Sequence, residues 1–135
     1  MHRARVFVQR NYSRRYWLLF SLLIAANMTV HAAGFPQPSP GLMPNPAKGK
    51  VLYNQNCASC HGADLKGSDK GPPFLHRVYE PSHHADLAFQ LAVKNGSRAH
   101  HWQFGDMKPV PGLNPDDVAH MTTYVRSEQR KVGIK

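Results

Sequence analysis

The amino-acid sequence predicts an all-α domain. Three segments combine helix start signals with apolar residues at helical spacing, and the segments between them are rich in glycine and proline. No segment shows the convincing alternation of apolar and polar residues that a half-buried strand requires. The sequence also contains no internal repeat, so we expect one small domain rather than an array.

The first helix is predicted from Pro46 to about Asn56. Asn45 suits the N-cap position, because its side-chain oxygen accepts from the free amides of the first turn. Pro46 suits the first helical position, where its missing N–H removes no helix bond. The helix then ends at Cys57.

The second helix is predicted over about residues 83–95, with Ser82 as its N-cap and Asp86 in its first turns. Gly96 stands just past the expected end, where a glycine often terminates a helix. The predicted apolar stripe comprises Leu87, Ala88, Leu91 and Ala92.

The last helix is predicted to start at Asn114 and Pro115 and to run to about Lys131. Asp116 and Asp117 would lie at the positive end of its dipole, where carboxylates are stabilising. The spacing of apolar residues predicts a buried face made of Val118, Met121, Tyr124 and Val125.

Residues 1–32 have the composition of a secretory signal peptide. Five arginines precede an apolar run over residues 17–26, and small residues precede Ala33, so cleavage before Ala33 is expected. The alternative is an uncleaved membrane anchor, but the run is shorter than the roughly 20 residues of a spanning helix. Residues 33–45 are predicted to form a proline-rich tether, and residues 46–132 the folded domain.

The net charge of the chain indicates which kind of macromolecule it associates with. The whole chain carries +9, from 17 basic and 8 acidic residues, but five of the arginines precede Ala33, which leaves 12 − 8 = +4 after cleavage. Nucleic-acid binding therefore loses its main support. A mildly basic surface suits association with an acidic protein partner.

The most informative segment is Cys57-Ala58-Ser59-Cys60-His61. This C-x-x-C-H pattern predicts covalent attachment of one haem, with both sulfurs as thioethers and His61 on the iron. A thioredoxin-like redox pair is the first alternative, but it expects a strand-helix-strand setting that the sequence does not show. Half of a zinc site is the second, and it lacks another cysteine pair.

The occupant of the sixth iron position decides what such a haem can do. Met107 is favoured, because it lies in a loop with prolines and glycines where packing alone rarely requires methionine. Met121 falls on the apolar stripe of the last helix and is explained by packing, while Met43 lies in the tether. The pair His100-His101 is the main rival, since a loop imidazole also ligates iron.

The remaining histidines carry weaker signals. His83-His84 is expected at the surface near a helix start, and His76 and His120 have no distinguishing context. Copper binding through these histidines is conceivable, but their spacing alone supports it poorly.

From about residue 45 to residue 130 the chain resembles the class I cytochromes c. The resemblance rests on Gly49 to Tyr53 before the attachment motif, on Gly71 to Phe74 after it, and on Tyr124-Val125-Arg126. It implies three to four helices wrapped around one covalently bound haem c. It also implies that Gly49, Tyr53 and Tyr124 meet where the first and last helices cross.

The same resemblance implies further roles around the iron. The Pro72 carbonyl would accept the second N–H of His61 and orient its ring. The family often has methionine directly followed by proline, whereas Lys108 intervenes between Met107 and Pro109 here.

The expected function is that of a periplasmic single-electron carrier rather than an enzyme, with redox proteins as partners. The lysines near the attachment motif are expected to help dock an acidic partner: Lys48, Lys50, Lys66 and Lys70. Membrane contact is expected only if the leader is uncleaved. One alternative is a haem-bearing subunit of one oxidoreductase, and another is a five-coordinate haem enzyme or gas-binding protein if Met107 is not the ligand.

Overall fold

The computed structural model describes residues 34–135, and this range contains four α-helices. The helices are α1 (Pro46–Asn56), α2 (Ala58–His61), α3 (Asp86–Asn95) and α4 (Pro115–Lys131). One 3-10 turn, Arg77–Tyr79, precedes α3. Within the described residues there is no strand, only an isolated bridge between Ser97 and Met107. The predicted signal peptide, residues 1–32, lies outside the described residues.

The predicted caps of α1 and α4 form. The Asn45 side chain accepts from the amides of Ala47 and Lys48, and α1 has the predicted bounds. At the start of α4, Asn114 and Asp117 each accept from the other's backbone amide, which is a complete capping box. The predicted start and end of α4 are therefore confirmed.

The central packing contact is the crossing of α1 and α4 at Gly49. A β-carbon built on Gly49 would lie 1.9 Å from the backbone oxygen of His120 and 3.0 Å from the β-carbon of Tyr124. Only a glycine permits this approach. Beside it the rings of Tyr53 and Tyr124 lie 5.6 Å apart, so the predicted meeting of the three residues is confirmed.

The predicted buried face of α4 is also confirmed. Val118, Met121, Tyr124 and Val125 are all buried, and they form the core together with Tyr53 and Leu65. Because α1 and α3 both pack on α4, this helix is the element that holds the others in place.

The predicted start of α3 is wrong. The helix begins at Asp86 with Ala85 at its N-cap, not after Ser82. Residues 81–84 form a turn instead, in which the amides of His83 and His84 both donate to the Glu80 carbonyl. The carbonyl of His84 accepts from the Arg126 guanidinium of α4. It therefore makes no helix bond, and a tertiary contact overrides the local capping signal.

The apolar stripe of α3 is only partly as predicted. Ala88, Leu91 and Ala92 line a cavity, whereas Leu87 is exposed at 37%. The fully buried residues of the helix are Gln90 and Val93. Gln90 belongs to the interior because its amide donates to the Pro115 carbonyl at 2.8 Å.

The proline-rich segment before α1 has no helix or strand, yet it is bonded to the domain. Both the amide and the hydroxyl of Ser39 donate to the Asp116 carboxylate, at 2.6 and 2.8 Å. These bonds hold the pKa of Asp116 below its usual range. The Asn45 amide donates to Nδ1 of His120 at 2.8 Å, which gives that buried histidine a structural role the sequence did not indicate.

Among the helices of residues 34–135, none is long and apolar enough to cross a membrane.

Candidate functional site

The candidate site is a cavity of about 400 Å³ that opens between α3, α4 and the loops flanking them. This volume falls within the range of about 300–1,000 Å³ typical of cofactor sites. The predicted site residues Cys57, His61, Pro72 and Met107 all line it. Cys60 does not line the cavity; it is exposed, on the same helical turn as Cys57.

The short helix α2 holds the residues of the attachment motif on one turn. Cys57 caps this single turn, and the amides of Cys60 and His61 both donate to its carbonyl, at 3.1 and 2.9 Å. The two thiols are free rather than joined as a disulfide. Burial, followed by the charge of Cys60, raises the pKa of Cys57 to about 11. The thioredoxin-like alternative expects a strand-helix-strand setting, and the described residues contain no strand, so the fold disfavours it.

His61 is buried and held in one orientation. Its Nδ1–H donates to the Pro72 carbonyl at 2.9 Å, and its ring stacks on Phe74 at a centroid distance of 4.2 Å. Burial lowers the pKa of His61, against the opposing effect of the Pro72 bond. A neutral imidazole with Nδ1 protonated leaves Nε2 as a free electron-pair donor, which is the form that ligates a metal.

Met107 lies on a loop that three backbone bonds attach to the end of α3. The Met107 and Ser97 amides donate to each other's carbonyls, at 2.8 and 2.9 Å, and the Val110 amide donates to the Val93 carbonyl at 2.9 Å. Gly96, with φ +77°, permits the close approach, because a β-carbon there would lie 2.5 Å from the Met107 oxygen. The loop is irregular, but its path is fixed.

A second methionine also lines the cavity. Met121 is buried on α4, and its Sδ lies 3.8 Å from the thiol Sγ of Cys57. It belongs to the apolar core together with Val118 and Val125, as the helical pattern predicted. The structure thus brings two thioethers to the same cavity, one buried (Met121) and one half-buried (Met107).

These residues fit a haem as the cofactor. Two free thiols on one turn, an adjacent neutral imidazole and a thioether on a fixed loop are the donor set that covalent attachment and axial ligation require. The neighbouring walls are mainly apolar, with Phe74, Phe89 and Leu91 among them, which suits a large flat macrocycle.

A family model described as cytochrome c matches residues 46–129, which is more than half of the chain. The chain belongs to the cytochrome c family. Membership implies one covalently bound haem c, and Cys57, Cys60 and His61 provide its attachment motif. It also implies a haem-binding electron carrier whose partners are redox proteins. A search of the solved structures finds no match.

In this cytochrome c a buried polar network supports the cavity wall, and the sequence pattern did not indicate it. The Arg126 guanidinium donates to the Asp86 carboxylate, to the Tyr79 and His84 carbonyls and to Gln129. Gln129 in turn donates to the Phe74 and Tyr79 carbonyls, at 2.8 and 3.1 Å. Arg126 was noted only as part of the family resemblance; its burial, 7% exposed, marks it as structural.

The loop histidines of the cytochrome lie close together. The rings of His83 and His84 approach those of His100 and His101, which belong to the loop leading to Met107. The pKa of His84 is lowered, first by burial, and that of His101 is lowered by the same cause and by the neighbouring histidines.

Proposed function

We propose that this protein is a periplasmic single-electron carrier whose haem iron has His61 and Met107 as axial ligands. One observation carries the proposal: the attachment motif, the oriented His61 ring and the fixed Met107 loop border the same cavity. Bound haem supplies one-electron redox chemistry, and the chain holds, orients and shields it. A methionine ligand raises the reduction potential relative to a second histidine.

The fixed loop supports Met107 over Met121. Met107 has no helix or core position to maintain, yet its amide and carbonyl both bond to Ser97, and the nearby Val110 amide bonds to Val93 of α3. Met121 already has a full packing role, and its sulfur lies beside Cys57. Since the cysteine sulfurs attach at the porphyrin rim, a thioether next to one of them is placed for rim packing rather than for the central iron.

The neighbouring contacts also disfavour the rival pair of histidines. The Nδ1–H of His100 donates to the Arg98 carbonyl, and its Nε2 lies 3.4 Å from the His84 ring. Nε2 of His101 lies 3.1 Å from Nε2 of His83. Both imidazoles therefore face the histidines of the turn before α3, which favours the loop methionine as the iron ligand.

The absorption spectrum tests the ligand assignment. We expect the purified oxidised protein to show the sulfur-to-iron charge-transfer band, and Met107→Ala to lose it, because alanine provides no donor. The matched control is Met121→Leu, which removes the other cavity sulfur while keeping volume and burial, and it should retain the band. If the band survives Met107→Ala but disappears in Met121→Leu, Met121 is the ligand.

An electron carrier differs from the gas-binding alternative in that the protein fills both axial positions of the haem iron. With both axial positions filled by protein, neither a substrate nor a diatomic gas finds an open site. The same variants provide the comparison: the reduced wild-type protein should bind carbon monoxide slowly, and Met107→Ala should bind it rapidly. Rapid binding by the wild type would favour the five-coordinate alternative.

Lysines beside the attachment motif are proposed to steer an acidic redox partner to the exposed Cys60 side. Lys48 and Lys66 pair with Asp117 and Asp64, at 3.7 and 3.8 Å. Lys50 and Lys70 are exposed and form no ion pair with any described residue, so their charges are available to a partner.

Electron transfer to an anionic oxidant should therefore slow as salt is added, because ions screen the attraction. We expect oxidation of the reduced protein by ferricyanide to slow about tenfold between low and high ionic strength, and Lys50→Glu with Lys70→Glu to weaken this dependence. Lys135→Glu provides the control, since it changes a C-terminal charge. Stopped-flow absorption measures the rates, and an identical salt dependence in all variants would contradict the proposed surface.

Export to the periplasm is proposed from the basic and apolar pattern of residues 1–32. The mass of the protein recovered from the periplasmic fraction tests it. A chain that begins at Ala33 supports cleavage, while an intact leader in the membrane fraction supports the anchored form.

A further inference from the structure

Four imidazoles converge on the surface between the turn before α3 and the loop after it. His83 and His84 come from the turn, and His100 and His101 from the loop; we refer to these four residues as the histidine cluster. Neighbouring ring centroids lie 4.3–5.6 Å apart. The ring nitrogens of His83, His84 and His101 all lie within 4.8 Å of one another.

The spacing of the nitrogens matches a metal site. Nε2 of His83 lies 3.1 Å from Nε2 of His101, and Nε2 of His84 lies 3.4 Å from Nε2 of His100. Ligand nitrogens about 2.0–2.1 Å from a tetrahedral zinc ion lie about 3.3 Å from each other. Two pairs in the cluster already have this separation, so small ring rotations would complete the coordination.

Hydrogen bonds on the far side of two rings fix which nitrogen is free. Nδ1–H of His84 donates to the Val78 carbonyl at 2.6 Å, and Nδ1–H of His100 donates to the Arg98 carbonyl at 2.7 Å. When both rings are neutral, the two facing Nε2 atoms are bare electron-pair donors. They repel each other unless a cation lies between them. A backbone carbonyl behind the ligating ring is also the usual arrangement of a metal-bound histidine.

Hydrogen bonds to other residues fix the backbone that carries the histidine cluster. The buried Arg126 guanidinium donates to the His84 carbonyl and, at 2.6 Å, to that of Tyr79. In the other loop, the Ala99 amide donates to the Asp106 carboxylate at 2.9 Å. Both sides of the cluster are therefore positioned before any ligand binds, which lowers the entropic cost of binding.

We propose that the histidine cluster binds one divalent transition-metal ion, with zinc the ion whose tetrahedral geometry fits the nitrogens, through Nε2 of three or four of the rings. Imidazole suits zinc, copper and nickel, whereas magnesium and calcium prefer oxygen donors. The proposed site lies at the surface beside the haem cavity, which His84, His100 and His101 also line, and it does not depend on which methionine is the axial ligand.

Zinc titration of the haem-loaded protein tests the proposal. After treatment with a chelator, the protein is titrated with zinc chloride in a calorimeter, and we expect one ion per chain. His83→Ala combined with His101→Ala should weaken the affinity about tenfold or more, because losing ligands costs at least as much as losing the partners behind them. Bound zinc should also raise the thermal midpoint of the wild type but not of the double variant.

The matched control is His76→Asn, which removes an exposed imidazole outside the cluster. Asparagine can still accept from the Val78 amide, as His76 Nδ1 does at 3.2 Å, so the 3-10 turn is kept. This variant should bind zinc like the wild type.

Two results would overturn the proposal. One is that the wild type binds no zinc, in which case shared protons hold the ring pairs. The other is that the double variant binds zinc as tightly as the wild type. The haem absorption spectrum, recorded on the same samples, should not change with zinc or in the double variant. If the Met107 assignment failed, the charge-transfer band would survive in Met107→Ala, and the zinc titration would be unaffected.

Discussion

Replacing both Cys57 and Cys60 with alanine is expected to yield a chain that carries no covalently bound haem. The chain has two cysteines, so no other thiol can form a thioether. The structure places both on one turn, with Cys57 in the cavity wall and Cys60 exposed beside it in sequence. Extraction with acidic acetone, followed by haem staining of the denatured protein, measures the loss directly.

The same variant should also lose its cooperative fold. Without the haem, the mainly apolar wall of a cavity of about 400 Å³ is left exposed instead of buried against the cofactor. A domain this small has little other apolar burial to compensate for that loss. Circular dichroism should therefore show a broad, weakly cooperative thermal transition.

Ser59→Ala is the matched control for the cysteine variant. Ser59 lies between the two cysteines and is exposed, and within residues 34–135 its hydroxyl hydrogen-bonds only to the sulfur of Cys60, at 3.9 Å. This variant should keep covalent haem and a sharp transition. Covalent haem in the double cysteine variant would mean that attachment uses another residue, and the interpretation of the motif would be wrong.

Local signals were enough to predict the helices whose ends are fixed by their own residues. Asn45 and Asn114 cap α1 and α4 through bonds within one turn, so the sequence shows both partners. The start of α3 was mispredicted for the opposite reason. Arg126, which lies 42 positions from His84 along the chain, takes the carbonyl that a longer helix would have used.

In the candidate site, too, features formed by residues close in sequence were predictable and features formed by distant residues were not. The attachment motif and the Pro72 carbonyl are close in sequence to His61, and the expected geometry is present. Two groups could be recognised only from the fold: the network of Arg126 and Gln129, and the histidine cluster. Their long-range contacts join residues 16 to 55 positions apart in the chain. Two histidine pairs, at residues 83–84 and 100–101, were visible in the sequence, but their proximity was not.

The second large effect is expected from Gly49→Ala. In an exposed helix this change stabilises by about 1 kcal/mol, because alanine has the better helix propensity. At residue 49 the added β-carbon would lie 1.9 Å from the oxygen and 2.5 Å from the carbon of the His120 carbonyl. Both atoms belong to the backbone of α4 and cannot rotate away as a side chain would.

The helices must therefore separate, and contacts on both sides of the crossing are lost with them. The Tyr53 and Tyr124 rings, 5.6 Å apart, lose their packing, and the Asn45 amide moves away from His120, its partner at 2.8 Å. Overpacking of this kind typically costs about 1–3 kcal/mol, and a backbone clash lies at the upper end. We expect the thermal midpoint of the haem-loaded protein to fall by roughly 10–20 °C.

Asn54→Ala is the control for this prediction, because Asn54 is exposed on the same helix and the change also improves helix propensity, though by less than Gly49→Ala does. It should leave the thermal midpoint within about 2 °C or raise it slightly. If Gly49→Ala lowers the thermal midpoint and Asn54→Ala does not, the loss comes from the helix crossing and not from helix propensity. If Gly49→Ala also proved neutral, α1 and α4 would have to tolerate a wider separation, and the tight crossing would not be what fixes the wall beside Tyr53.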